Sequence, residues 1–201
     1  MHQNINTMKK IYILSIVLVS LAACTSKTKK KEDKLKKEVL FGTLNDGLYV
    51  NPFFNLSIDF DENWEVKTKS IKSISFGGDL LSANYVDSYD EYYPITLTMT
   101  ADKANPFGSK SPVEQLKESQ EGYEFLFNKN EMIVSPFDKV SIAGEEYAHG
   151  FFQLIDESDT SFVHEYYRFK DGYFLSIICV YNTPEDEGVA VDIIKSIQRN
   201  K

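Results

Sequence analysis

Cysteine and histidine are scarce in this sequence, with two Cys and three His among 201 residues. That supply comes close to excluding a four-ligand Cys/His zinc site and a multi-disulfide scaffold, and no metal or other cofactor is expected. Positive charge is also short. Lys plus Arg number 22 against 30 Asp plus Glu, a net −8, and the body has no sustained basic stripe, which disfavours a nucleic-acid binder relying on counterion release. No apolar run reaches the roughly 20 residues that a membrane-spanning helix requires. Aromatic side chains, by contrast, are plentiful: 12 Tyr and 14 Phe, within a hydrophobic fraction of 42%. Such a chain can fill a core and is not generally disordered. Its length fits one domain with an appendage better than two packed domains.

The longest apolar run, Ile11 to Ala23, has 13 residues, follows Lys9 and Lys10, and ends at Cys24. This is the layout of a secretory h-region, expected to be cleaved, with Met8 as an alternative start. The end of the run, Leu21-Ala22-Ala23-Cys24, resembles the lipobox of bacterial lipoproteins. The resemblance implies cleavage between Ala23 and Cys24 and a diacylglycerol on the Cys24 thiol; the competing reading is an ordinary signal peptide that happens to end near a cysteine. Each buried methylene contributes about 0.8 kcal/mol, so two or three acyl chains anchor firmly where one is marginal. Residues 25–38, TSKTKKKEDKLKKE, carry seven Lys and three acidic residues and read as a solvated tether. Its lysines add about 1 kcal/mol of attraction each near anionic lipid. From residue 39 onward there are 13 basic and 27 acidic residues, a net −14. A body of that charge is repelled by the surface that attracts its tether, so it should stand off the membrane.

The expected organisation is therefore a signal peptide over 1–23, a lipidated Cys and Lys-rich tether over 24–38, and one domain over 39–201. In that domain Leu56, Ile58 and Phe60 alternate with polar residues as a strand, and the turn Asp61-Glu62-Asn63 returns Trp64 as a core plug. Leu80 to Val86 and Ile95 to Met99 read as further strands. Ser111-Pro112-Val113-Glu114 combines an N-cap serine, a first-turn proline and a capping-box glutamate, predicting a helix to about Asn128 whose stripe is Val113, Leu116, Gln120, Tyr123 and Phe127. Strands then follow over Ile133 to Ile142, Tyr147 to Ile155, Phe162 to Phe169 and Tyr173 to Tyr181. They are joined at Ala143-Gly144, at Glu157-Ser158-Asp159 and at Asp171-Gly172, a two-residue signal in which both positions take positive φ. Thr183-Pro184-Glu185-Asp186 caps a closing helix with the stripe Val189, Ile193 and Ile197.

Three segments, YVNPFFNLSIDFDENWEV, VSIAGEEYAHG and YRFKDGYFLSIICVY with the later IIKSIQ, resemble the PsbP-like domain over most of residues 48–198. The resemblance implies an α+β fold, an antiparallel sheet of six to seven strands flanked by helices, and a family whose members mostly act as binding or assembly subunits. It brings no catalytic residues with it. The chain is also similar to uncharacterised lipoproteins of low-GC Gram-positive bacteria.

Few residues offer chemistry. A two-residue Asp171-Gly172 turn makes Lys170 face Tyr173 and, counting outward, His164 face Cys179. A nucleophilic Cys–His pair is one reading; a small buried hydrophobe in the apolar run LSIICVY is the other. Asp59 to Asn63 opens like a calcium loop, but Trp64 stands where the sharp turn needs Gly and Ser70 where a bidentate Glu would finish the shell. The segment Asp87 to Tyr93 mixes three tyrosines with three carboxylates, and Tyr89, Asp90, Glu91, Tyr92 and Tyr93 form the candidate partner surface, against the alternative of tyrosines folded over the sheet.

The expectation is a lipid-anchored, extracytoplasmic binding or assembly module on the cell membrane, not an enzyme, whose partners are the membrane and an envelope protein and whose body is monomeric. The alternative is a lipoprotein hydrolase with an unrecognised site. Cys24→Ser tests the anchor: metabolic labelling with radioactive palmitate should disappear and the protein should be released or stay unprocessed. Labelling that persists in this variant would refute the lipidation site.

Overall fold

Two signals repeated along the chain, period-two alternation and left-handed turn pairs, build two antiparallel sheets. A computed structural model describes residues 40–68, 77–86, 93–105, 108, 111–127, 131–156 and 159–200. The leader, Ala23, Cys24 and the tether lie outside the described residues, as do Ser70, Asp87 to Tyr92, Asn128 and Glu157-Ser158. The small sheet holds β1 (Thr43–Asn45), β2 (Leu48–Asn51), β3 (Leu56–Asp59) and β12 (Gln198–Arg199) in the order β1-β2-β3-β12. The large sheet has eight strands. These are β4 (Trp64–Lys67), β5 (Gly77–Tyr85), β6 (Ile95–Lys103), β7 (Met132–Val134), β8 (Asp138–Ile142), β9 (Glu145–Asp156), β10 (Asp159–Lys170) and β11 (Tyr173–Tyr181), ordered β4-β5-β6-β11-β10-β9-β7 with β8 also on β9. Helices α1 (Pro112–Leu126) and α2 (Glu187–Lys195) flank the sheets.

The long hairpins follow from their turns. Asp171 and Gly172 take φ of 48° and 86°, and Ala143 and Gly144 take 54° and 76°, the primed-turn geometry that matches the twist of the flanking strands. Asp46 and Gly47, at 47° and 82°, make a third such turn, between β1 and β2, which was not among those expected.

Alternation decides what is inside. Ile95, Leu97, Met99 and Ala101 of β6 are buried and share a core with Ile177 and Cys179 of β11, Leu56 and Ile58 of β3, and Ala190, Ile193 and Ile197 from the α2 region. The small sheet and α2 thus cover one face, the inner face. Helix α1 lies on the outer face, where Leu116 and Tyr123 are its buried residues. It begins as expected: Ser111 Oγ accepts from the Glu114 N–H, and Glu114 accepts in return from the Ser111 N–H. Gly150 lets it approach, because a Cβ there would lie 2.9 Å from Leu116 Cδ2 and 3.1 Å from Phe152 Cε2.

A second constraint fixes where the chain enters the core. Asn51, fully buried, donates to the Leu40 carbonyl (2.9 Å) and to the Tyr49 hydroxyl (3.0 Å) and accepts from the Phe54 N–H (3.0 Å). Tyr49 in turn donates to the Phe41 carbonyl at 2.9 Å. With these partners satisfied, the buried polar cluster costs little and specifies one arrangement.

Besides the unexpected β1–β2 turn and the division of the expected six to seven strands into an eight-stranded and a four-stranded sheet, the structure departs from expectation at four places. Trp64 is half-buried and starts β4 opposite Tyr85 instead of plugging the core; its ring packs against Phe60 and Tyr85 at 5.8 and 5.4 Å between centroids. The strand expected from Ile133 to Ile142 is two strands, because Pro136 has no N–H for the ladder and the Ser135 N–H donates instead to the Phe151 carbonyl. The stripe of α2 is rotated, with Val189 exposed and Ala190 and Ile194 buried beside Ile193 and Ile197, whereas on α1 Leu116 and Tyr123 are buried as expected and Val113 is exposed. Thr183 makes no side-chain cap; its hydroxyl donates to Asp186, a 3-10 turn spans Pro184–Asp186, and α2 starts at Glu187.

The contact between Leu116 and Gly150 can be tested by a double-mutant cycle in urea. Gly150→Ala overpacks it and should cost about 1–3 kcal/mol, whereas the same change in a Leu116→Ala background should be close to neutral because the added methyl fills the space vacated. Equal costs in both backgrounds would place the constraint elsewhere.

Candidate functional site

Register brings aromatic side chains together on the inner face, towards the β9–β10 hairpin. Residues directly opposite in an antiparallel pair project to the same side. Tyr166 faces His149, His164 faces Phe151, and Phe162 faces both Gln153 and Tyr181. The rings stack accordingly: His149 on Tyr166 at 4.7 Å between centroids, Phe162 on Tyr181 at 5.0 Å, and Phe151 tilted against His164 at 4.8 Å. Here the cover of the inner face gives out. Phe151, Phe162, His149 and His164 are half-buried, and Ile133 on the neighbouring β7 is 54% exposed.

A row of polar atoms runs through this ladder across four strands. Asp138 Oδ1 on β8 lies 2.7 Å from His149 Nδ1, and His149 Nε2 lies 2.9 Å from His164 Nδ1. A long contact of 3.5 Å joins His164 Nε2 to the Tyr181 hydroxyl. With both imidazoles neutral, every proton in the row points towards Asp138. Tyr181 donates to His164, His164 Nδ1–H to His149 Nε2, and His149 Nδ1–H to the carboxylate. One added proton can be accommodated by reversing the two bonds beyond His149. A second would set two N–H groups against each other at 2.9 Å. Burial, and then the neighbouring His149, pull the His164 imidazole down from 6.5 to about 4, with Asp138 opposing.

The expected register of His164 opposite Cys179 is present, but the chemistry of a nucleophilic pair is not. Cys179 is fully buried, its Sγ points to the Ala190 carbonyl at 3.9 Å, and burial pushes the thiol up to about 12. The close hydrogen-bond partner of His164 is His149, a residue that no sequence motif marks and that only the β9–β10 register brings alongside.

Of the candidate partner surface, Tyr89, Asp90, Glu91 and Tyr92 lie outside the described residues. Tyr93 is 45% exposed, and its hydroxyl donates to Glu65 Oε2 at 2.7 Å. The acidic turn closes on itself: Asp61 Oδ1 accepts from the Asn63 N–H at 2.9 Å. On the outer face, Glu165 is buried under α1. Its Oε1 accepts from the Tyr123 hydroxyl at 2.6 Å and its Oε2 has no hydrogen-bond partner among the described residues, so burial raises this carboxyl above its ordinary range.

No protein-family model matches the chain, and no curated protein matches its sequence. Solved structures do resemble it. The cyanobacterial PsbP (CyanoP) of Synechocystis sp. PCC 6803 superposes with a TM-score of 0.50 at 7% identity, covering 79% of this chain and 96% of that one. The fold is α+β and PsbP-like. LpqN, involved in cell envelope biogenesis of Mycobacterium tuberculosis, gives 0.48 at 11% identity over 71% of this chain and 82% of that one. A Bacteroides thetaiotaomicron VPI-5482 protein gives 0.46 at 11% identity over 79% of this chain, which spans 50% of that protein's length.

The histidine row predicts an acid-sensitive contribution to stability. His164 has a lowered folded value, so its contribution is complete above about 6.5 and is lost as pH falls from there through about 4. Glu165, with a raised value, contributes fully below its ordinary 4.5 and loses that contribution as pH rises. Comparing the protein with His164→Phe, which keeps a ring but cannot titrate, cancels the Glu165 effect. Between about pH 6.5 and about pH 4 the unaltered protein should lose unfolding free energy relative to the variant. A pH-independent difference would show that His164 is not held neutral by the fold.

Proposed function

We propose that this protein is a lipid-anchored, extracytoplasmic binding or assembly module whose working surface is the half-buried aromatic and histidine ladder of the inner face. The observation that carries the reading is the ladder itself: directly opposed ring pairs on adjacent strands, left without a full cover beside a region of the same face that is fully buried. Rigid aromatic side chains offer large contact area at small entropic cost, which is why they concentrate in binding hot spots. The leader, lipobox-like Cys24 and Lys-rich tether support a place on the outer side of the cell membrane. Among the described residues, no helix is long and apolar enough to cross a membrane. Cys179, buried and with its thiol pushed up, does not supply the activated nucleophile that a Cys–His hydrolase at His164 would need.

Site-directed photocrosslinking in intact cells tests the surface. Benzoylphenylalanine in place of Phe162 should capture an envelope protein, whereas the same probe at Thr98, on the other side of the sheet, should not. Equal capture at both positions, or none at Phe162, would count against this working face.

A further inference from the structure

The chemistry of the ladder's surroundings narrows the partner. Strands β7 to β11 contribute three Lys or Arg side chains among their described residues, and all are committed elsewhere. Lys139 pairs with Glu146 at 2.7 Å; Arg168 pairs with Glu145 at 3.0 Å and donates to the Phe54 carbonyl; Lys170 lies over the Phe53 ring at 5.7 Å. Carboxylates flank the rings instead. Asp138, 60% exposed, ends the histidine row, and the exposed Glu187 at the start of α2 acts electrostatically on Tyr181. Ring faces and carboxylates together attract cations.

Resting on the proposed working face, we propose that this surface binds a Lys- or Arg-rich peptide segment of the partner, and that protonation of the histidine row weakens the complex. The charge of the body selects among occupants. At −14 from residue 39 onward, it repels a second body of the same charge and an anionic bilayer and attracts a basic segment. Around His164 stand Asp138 from β8, His149 from β9, Tyr166 on its own strand, and Cys179 and Tyr181 from β11, with Glu187 of α2 beside Tyr181. The carboxylates give this set its preference for a cation. Acid adds positive charge to the imidazoles and removes the preference for a cation.

The test uses fluorescein-labelled octalysine and the full chain in phosphatidylcholine vesicles, with anisotropy as the readout at about 0.15 M salt, where screening acts over about 8 Å. Binding should saturate. Phe162→Leu, which keeps an apolar side chain without the ring face, should weaken it about threefold or more, and Asp138→Asn should weaken it similarly. Glu118→Gln on α1 removes the same charge on the outer face and should leave binding within about twofold. From about pH 7.5 down through about pH 4, where His164 takes up its proton, affinity should fall about tenfold, and His149→Asn with His164→Phe should flatten that dependence. Equal weakening by Asp138→Asn and Glu118→Gln would reduce the effect to overall charge and overturn the proposal. So would the absence of saturable binding; if Phe162 still crosslinks a partner in cells, the basic-segment inference falls while the working face stands.

Discussion

The register of the β9–β10–β11 meander is the constraint on which the rest of the structure depends. The Asp171–Gly172 turn sets Lys170 against Tyr173, and every pair up to Phe162 and Tyr181 follows from it. Side chains alternate with a period of two, so a slip of one residue would send Ile177 and Cys179 to the outer face and bring Ser176 into the inner core. The same slip would dissolve the aromatic pairs. Fold and candidate site therefore share one backbone determinant, the positive φ at both turn positions.

The two faces of the large sheet meet their polar demands differently. On the inner side, Asn51 and Tyr49 are buried with partners for their polar groups and fix how Leu40 and Phe41 enter the core. On the outer side, Glu165 has one strong bond from Tyr123 and an oxygen without a partner among the described residues, so α1 is seated over a carboxyl that burial biases towards its neutral form. Gly150, opposite Glu165 in the ladder, gives Leu116 room over the sheet. Helix α1 is thus held by a small number of closely fitted side chains.

The histidine row obeys the same alternation. Asp138, His149, His164 and Tyr181 come from four strands, and each contributes one side chain at the position its strand's alternation assigns to the inner face. Because the imidazoles share a hydrogen bond, the row can hold one extra proton by reversing its bonds and a second only by breaking.

The sequence by itself determined the local elements. Asp171-Gly172 and Ala143-Gly144 marked hairpins because few residues accept positive φ, Ser111 to Glu114 marked a helix start because its orphan N–H groups need acceptors, and alternation over Ile95 to Met99 marked a half-buried strand. It also placed His164 opposite Cys179, since register is a count from a turn. What it did not determine was whatever depends on partners distant in the chain: the small sheet, where β12 joins β3 across about 140 residues of sequence; the rotation of the α2 stripe; and the half-buried state of Trp64. The pairing of His149 with His164, only 15 residues apart, escaped the sequence for another reason. Tertiary structure decided it because a cross-strand diagonal leaves no spacing in the sequence, and because only the packed sheet shows which ring faces remain uncovered.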